Sequence, residues 1–248
     1  MMTNTSASKA PELSPKERLI VALDVSSAGE ALSLFDELKG EVGAFKVGLQ
    51  LFSAEGPGIV RTLVGRGAKV FLDLKFHDIP NTVAMAAVEA AKTGAWMLNV
   101  HASGGSEMML RTAGEVGEYC DRNSLTPPKL IAVTVLTSTD GPTLHEIGVT
   151  RDPETQVVEL AKLTARSGFD GLVASPREVK QIRTAVTNEG FFIVTPGIRS
   201  VSATKDDQKR VTTFAEAITN GADYVVVGRP ITMAADRVGA VKELLAQA

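Results

Sequence analysis

Two lysines and three aspartates carry the first chemical signal in this sequence. Asp24 closes one apolar run (Leu19–Asp24), Lys46 interrupts a second (Ala44–Leu49), and Asp73 and Lys75 close a third (Lys69–Lys75), with His77 and Asp78 directly after it. Side chains on an extended strand alternate between faces, so Asp73 and Lys75 share one face while Val70, Leu72 and Leu74 share the other. Ionised groups turned toward an interior are costly to desolvate unless they pair. Here lysines and aspartates on neighbouring strands can pair, which leaves a charged set directed into the mouth of the fold. The same charges also admit a plainer reading, as solvated strand ends or a structural ion network.

A second constellation lies near the C-terminus, in Thr195-Pro196-Gly197-Ile198-Arg199 and Val227-Gly228-Arg229-Pro230. Each follows an apolar run and precedes a helical pattern. Glycine lets backbone approach an anion closely, N–H groups at a helix start point toward it, and Arg adds planar charge-assisted hydrogen bonds. This is the chemistry of a phosphate grip, although either glycine taken alone could be an ordinary turn.

The elements that must position these groups repeat regularly. Eight short apolar runs read as strands: the three above, then Trp96–His101, Leu130–Leu136, Gly171–Ala174, Phe191–Thr195 and Asp223–Val227. Between them, helical spacing of apolar residues predicts amphipathic helices, among them Ala28–Leu38, Val83–Lys92, Val157–Ser167 and Ile231–Ala246. Alternating strands and helices imply crossover connections and parallel strands, and nearly continuous apolar strands imply cover on both faces. The expected fold is therefore α/β, a single-domain (β/α)8 TIM barrel over residues 18–248, preceded by a flexible tail at 1–17. A doubly wound open sheet is the alternative, but Asp24-Val25-Ser26-Ser27-Ala28-Gly29 lacks the glycine fingerprint of a dinucleotide site. In a barrel of this kind, active groups lie at the C-terminal strand ends and phosphates at the loops after the seventh and eighth strands, where both constellations fall.

Composition removes other classes. With 26 Lys plus Arg against 29 Asp plus Glu, the net charge of −3 offers no footprint for nucleic acid or an anionic membrane. A single cysteine, Cys120, closes no intrachain disulfide, and His77, His101 and His145 show no metal-ligand spacing, so no metal site is expected. The first fifteen residues hold one Lys, no Arg and no apolar core of a signal peptide, which predicts a cytoplasmic protein with a frayed end rather than a targeting segment.

The ten-residue block Asp73-Leu74-Lys75-Phe76-His77-Asp78-Ile79-Pro80-Asn81-Thr82 resembles the signature of the orotidine 5′-monophosphate decarboxylase family. Leu23-Asp24, Phe45-Lys46-Val47-Gly48, Val133-Thr134-Val135-Leu136-Thr137-Ser138 and the two glycine-containing blocks resemble that family's other segments, in its order. The D-x-K-x-x-D core alone also occurs in related barrels acting on sugar phosphates; the full set is far more specific.

The resemblance implies cofactor-independent decarboxylation of orotidine 5′-monophosphate to uridine 5′-monophosphate in pyrimidine biosynthesis. It also implies roles for individual residues. Lys46, Asp73, Lys75 and Asp78 would form an alternating charged array, with Lys75 as proton donor to C6. Asp24 and Lys46 would hold ribose hydroxyls, and Asp73 would lie beside the substrate carboxylate. Thr137 would adjoin the pyrimidine, Gln208 would bridge pyrimidine and phosphate, Arg229 and the Gly228 backbone would grip the phosphate, and Arg199 would contact ligand. Asp78, Ile79 and Thr82 would complete the site of the other subunit in a homodimer. His77 and His101 carry no expected chemistry and read as packed residues or as residues that contact the site's own side chains from behind.

Three rivals remain at this stage. A magnesium-dependent sugar-phosphate decarboxylase or aldolase would want an acidic residue where Lys46 stands. A Schiff-base aldolase would want a neutral amine, which flanking aspartates disfavour. A silent uridine 5′-monophosphate sensor would keep the phosphate grip and dispense with one of the central charges.

Overall fold

The computed structural model describes residues 13–197 and 212–247. The chain opens with α1 (Pro15–Arg18), β1 (Leu19–Ala22), α2 (Ala28–Leu38), β2 (Ala44–Gly48), α3 (Leu49–Glu55) and α4 (Pro57–Gly65). It continues through β3 (Val70–Phe76), α5 (Pro80–Ala91), β4 (Met97–His101), α6 (Gly105–Arg122), β5 (Lys129–Val133), α7 (Gly141–Glu146) and α8 (Pro153–Arg166). The last third comprises β6 (Gly171–Val173), α9 (Val179–Ala185), β7 (Phe192–Thr195), α10 (Phe214–Thr219), β8 (Tyr224–Val227), α11 (Arg229–Thr232) and α12 (Arg237–Leu245).

The eight strands are parallel and paired in sequence order, and β8 closes onto β1 with Leu19 opposite Val225. This is the expected (β/α)8 barrel. Strand alternation divides the core into two shells. Leu19, Val21, Val47, Leu72 and Val225 pack outward against the helices, while Ile20, Ala22, Phe71, Met97, Phe192 and Tyr224 fill the interior. Among the described residues six helices carry a Pro in the first turn, as in α7 and α8, where the preceding Asp140 and Asp152 side chains accept N–H bonds from Thr143 and Thr155.

Two of the boundaries that differ from the sequence expectation are helix starts. The stretch Ile231–Ala246 is two helices, because Asp236 accepts a hydrogen bond from the Gly239 N–H and starts α12 afresh; apolar spacing alone runs across that break. The expected tail at 1–17 ends in structure, since Ser14 and Glu17 form a reciprocal capping box around α1. The Ser-Pro-Lys-Glu spacing contains that signal. Residues 1–12 of the tail lie outside the described residues.

Strand β3 is irregular where the charges are. Its pairing with β4 is regular to Leu72, opposite Leu98, and resumes only at Phe76, opposite Val100. Within the interruption Lys75 takes a φ of 51°, in the left-handed region that glycine normally occupies. The irregularity spans both charged residues as the strand leaves the barrel.

Candidate active site

Lysines from two strands meet at one carboxylate. Lys46 on β2 places its Nζ 2.9 Å from Asp24 Oδ1 and 3.4 Å from Asp73 Oδ2, and Lys75 on β3 places its Nζ 2.7 Å from Asp73 Oδ1. The result is a row that alternates in sign, Asp24–Lys46–Asp73–Lys75. Asp73 is 8% exposed and Lys46 9%, so both have surrendered most of their water. Burial raises the Asp73 carboxyl, but Lys46, Lys75 and the hydrogen bonds from Lys75 and Asn99 together outweigh it and hold the group below its ordinary value. Asp73 is therefore ionised at neutral pH.

Tight backbone makes room for this row. A Cβ on Gly48 would stand 2.8 Å from Lys46 Nζ and 3.2 Å from Asp24 Oδ1, so only glycine leaves that ion pair undisturbed. Gly228, between β8 and α11, backs onto Asp24 from the other side, and Arg229 follows as the first residue of α11, exposed at the mouth.

A cavity of about 220 Å³ opens beside the row, lined by Lys46, Phe71, Asp73, Lys75, Thr137 and Val226 among others. Larger concavities lie between α11 and α12, about 580 Å³, and beside α8 and α9, about 620 Å³. What distinguishes the smaller one is the pair of lysines bonded to a buried carboxylate in its wall.

The structure thus brings Asp24, Lys46, Asp73, Lys75 and Thr137 to one place, with Gly228 and Arg229 at its rim. It does not bring Asp78, Ile79 and Thr82 there within one chain. All three are exposed, Ile79 at 67%, and Asp78 accepts the Ile79 N–H at 2.6 Å and has no ion pair among the described residues. Arg199 and Gln208 lie outside the described residues. The His77 and His101 rings lie 5.5 Å apart at a tilt of 42°, with His77 exposed and His101 partly buried, and burial, then His77 and Lys75, push the His101 imidazole below its ordinary pKa. Among the described residues no group of three or more His, Cys, Asp or Glu is placed to hold a metal ion, and no helix is long and apolar enough to cross a membrane.

One residue that sequence reasoning passed over belongs to the site. Asn99, on β4, donates to Asp73 Oδ1 at 2.6 Å and accepts the Lys75 backbone N–H at 2.8 Å. Its signal was present: in Trp96-Met97-Leu98-Asn99-Val100-His101 the two-residue period sends Met97 inward and Asn99 with it.

The family described as orotidine 5′-phosphate decarboxylase / HUMPS matches residues 17–244, nearly the whole described chain. The chain belongs to this family. It is 50% identical over 230 residues to the orotidine 5′-phosphate decarboxylase of Syntrophotalea carbinolica, covering 93% of this chain and 94% of that one. It is 52% identical over 227 residues to the enzyme of the same name from Alkalilimnicola ehrlichii, covering 92% and 94%. Among solved structures, orotidine 5′-phosphate decarboxylase from Lactobacillus acidophilus superposes with a TM-score of 0.80 at 36% identity, over 92% of this chain and 97% of that one.

Proposed function

We propose that this chain removes CO₂ from C6 of orotidine 5′-monophosphate to give uridine 5′-monophosphate in pyrimidine biosynthesis, with Lys75 as the proton donor. The observation that carries the reading is the alternating row Asp24–Lys46–Asp73–Lys75 facing a cavity in a member of this family.

When the bond from C6 to the carboxylate breaks, its electron pair stays on C6 in the plane of the ring and cannot spread into the pyrimidine π system. The protein must stabilise that charge from outside the ring. An ammonium held by Asp73 supplies a fixed positive end in a poorly hydrated cavity and then gives its proton to C6, to be replaced from solvent. Asp73 beside the departing carboxylate destabilises the bound substrate, a smaller contribution than the fixed ammonium. Lys46 and Asp24 hold the ribose hydroxyls and Thr137 adjoins the pyrimidine. Arg229 and the Gly228 N–H grip the phosphate, with Arg199 and Gln208 from the segment after β7. Phosphate binding supplies energy that is expressed as rate as well as affinity.

In this reading Asp78, Ile79 and Thr82 belong to the site of a second copy. An exposed Ile79, next to an Asp78 with no ion pair among the described residues and one helical turn from Thr82, supports it: none of the three lines its own chain's cavity.

The test is loss of orotidine 5′-monophosphate absorbance, with and without a chelator. Turnover unchanged by chelator is expected; no turnover sinks the reading, and turnover abolished by chelator redirects it to metal-dependent sugar-phosphate chemistry. The shared site is tested by mixing inactive Lys75→Ala and Asp78→Asn chains. Random pairing leaves about a quarter of the sites intact, so about a quarter of normal activity should return. No recovery in verified mixed dimers would place Asp78 outside the reaction.

A further inference from the structure

Asn99 is 1% exposed, deeper than either charged residue it touches. A buried amide is tolerated where both of its ends are matched. Here they are matched by two residues of one neighbouring strand, in different ways: the Lys75 backbone on the oxygen side and the Asp73 side chain on the nitrogen side. Regular pairing between β3 and β4 is suspended over that stretch, so the Asn99 carbonyl stands in for a ladder acceptor to the Lys75 N–H.

Two geometrical consequences follow. Lys75 sits at φ 51°, a conformation that disfavours any residue with a Cβ, and the bond to Asn99 helps to hold it there. The carboxylate of Asp73 can rotate about its own bond, and Asn99 fixes that rotation. With Asn99 Nδ2 and Lys75 Nζ both on Oδ1, the other oxygen is left facing Lys46. One amide therefore sets where the Lys75 side chain departs from the backbone and how the carboxylate that steers its ammonium is turned.

We propose that Asn99 is a positioning residue that holds the Lys75 ammonium at the reacting carbon. The proposal rests on the reading of Lys75 as proton donor. Asn99 touches no reacting atom; it acts through Asp73 and the Lys75 backbone.

The test compares Asn99→Ala and Asn99→Asp with the unsubstituted enzyme across pH. Asn99→Ala removes both bonds, and kcat should fall about 100-fold or more while KM stays within about threefold, since a displacement near 1 Å at the reacting groups costs about that much and the phosphate grip is remote. Asn99→Asp keeps an acceptor for the Lys75 N–H but sets a second carboxylate against Asp73. Its kcat, taken as a ratio to the unsubstituted enzyme, should be low at pH 8 and recover about tenfold or more toward pH 5, where a protonated Asp side chain again donates to Asp73. The charged or titrating groups around position 99 are Asp73, Lys75 and Lys46, with Asp24 behind Lys46 and with His101 and His77 nearby; the ratio removes their shared titration. A kcat within threefold of normal in a folded variant overturns the proposal, as does an Asn99→Asp ratio that does not rise on acidification. Should Asn99→Ala fail to fold, the Asn99→Asp profile decides alone, and failure of both to fold would make Asn99 a residue of structure only. Lys75→Ala separates the two claims: if it keeps normal turnover the proton-donor reading itself is wrong, whereas an inactive Lys75→Ala beside normal Asn99 variants removes only the role of Asn99.

Discussion

The two ends of the barrel interior are built on opposite principles. At the floor, Trp96, Phe192 and Tyr224 meet edge to face at 5.3 and 5.5 Å, and Lys69 and Lys129 lie with their ammonium groups 6.0 and 5.1 Å from the Trp96 and Phe192 rings. Those lysines lend their stems to apolar surface while their charges reach water. At the mouth, Lys46 and Asp73 are buried as charges, and the strand that carries Lys75 is bent out of regular pairing. The floor gains stability from area and ring geometry; the mouth gives some of it up, because burying ions and holding a left-handed lysine both work against folding. One fold can carry a costly site because the cost is confined to one end.

Substitutions that trade activity against stability should separate the two ends. Lys75→Ala is expected to lower kcat by about 10⁵-fold or more, the product of general-acid and electrostatic contributions, while its melting temperature falls less than that of any large truncation at the floor. Phe192→Ala should do the reverse, lowering stability by about 3–5 kcal/mol and the melting temperature by about 10 °C, with kcat per folded molecule within about twofold. If either variant changed both properties equally, the division would fail.

Gly48→Ala should probe the mouth gently. The added methyl meets the movable end of Lys46, so kcat/KM should fall about tenfold with little change in melting temperature. Unaltered kinetics would mean that Lys46 tolerates displacement.

Within the mouth region, Asp73 contrasts with Glu178. Lysines hold the first low, whereas burial pushes Glu178 up to about 7, even though its Oε2 accepts the Ser175 N–H at 2.8 Å. A carboxyl whose folded pKa exceeds its ordinary 4.5 contributes stability that is complete below about pH 4.5 and is lost as pH rises through 7. Discounted for partial exposure, that loss is about 1 kcal/mol. Glu178→Gln should accordingly leave the melting temperature unchanged at pH 4 and raise it by about 2–4 °C at pH 8. An equal change at both pH values would show that the effect is not titration.

Strand identity and the charged row were legible in the sequence because both follow from a two-residue period. Asp73 and Lys75 line one cavity with Phe71, and Leu72 turns outward, as that period requires. The strand ends were drawn too long at Asp24 and Leu136, since apolar content persists where a strand leaves the ladder. The inward direction of Asn99 follows from the same period, but its partners do not. Its importance comes from an interruption in the pairing of β3, and an interruption is a relation between two strands, invisible in either run of letters alone. The split between α11 and α12 escaped similarly: Asp236 ends one pattern and begins another without altering the apolar rhythm.

The closure of β8 onto β1 bears on how such a protein can change over generations. A ring of hydrogen bonds has no free flank to which a neighbouring molecule could add a strand, so residues can be inserted or lost around its rim without creating an adhesive border. New specificities can then be tried at the rim while the underlying ring stays as it is.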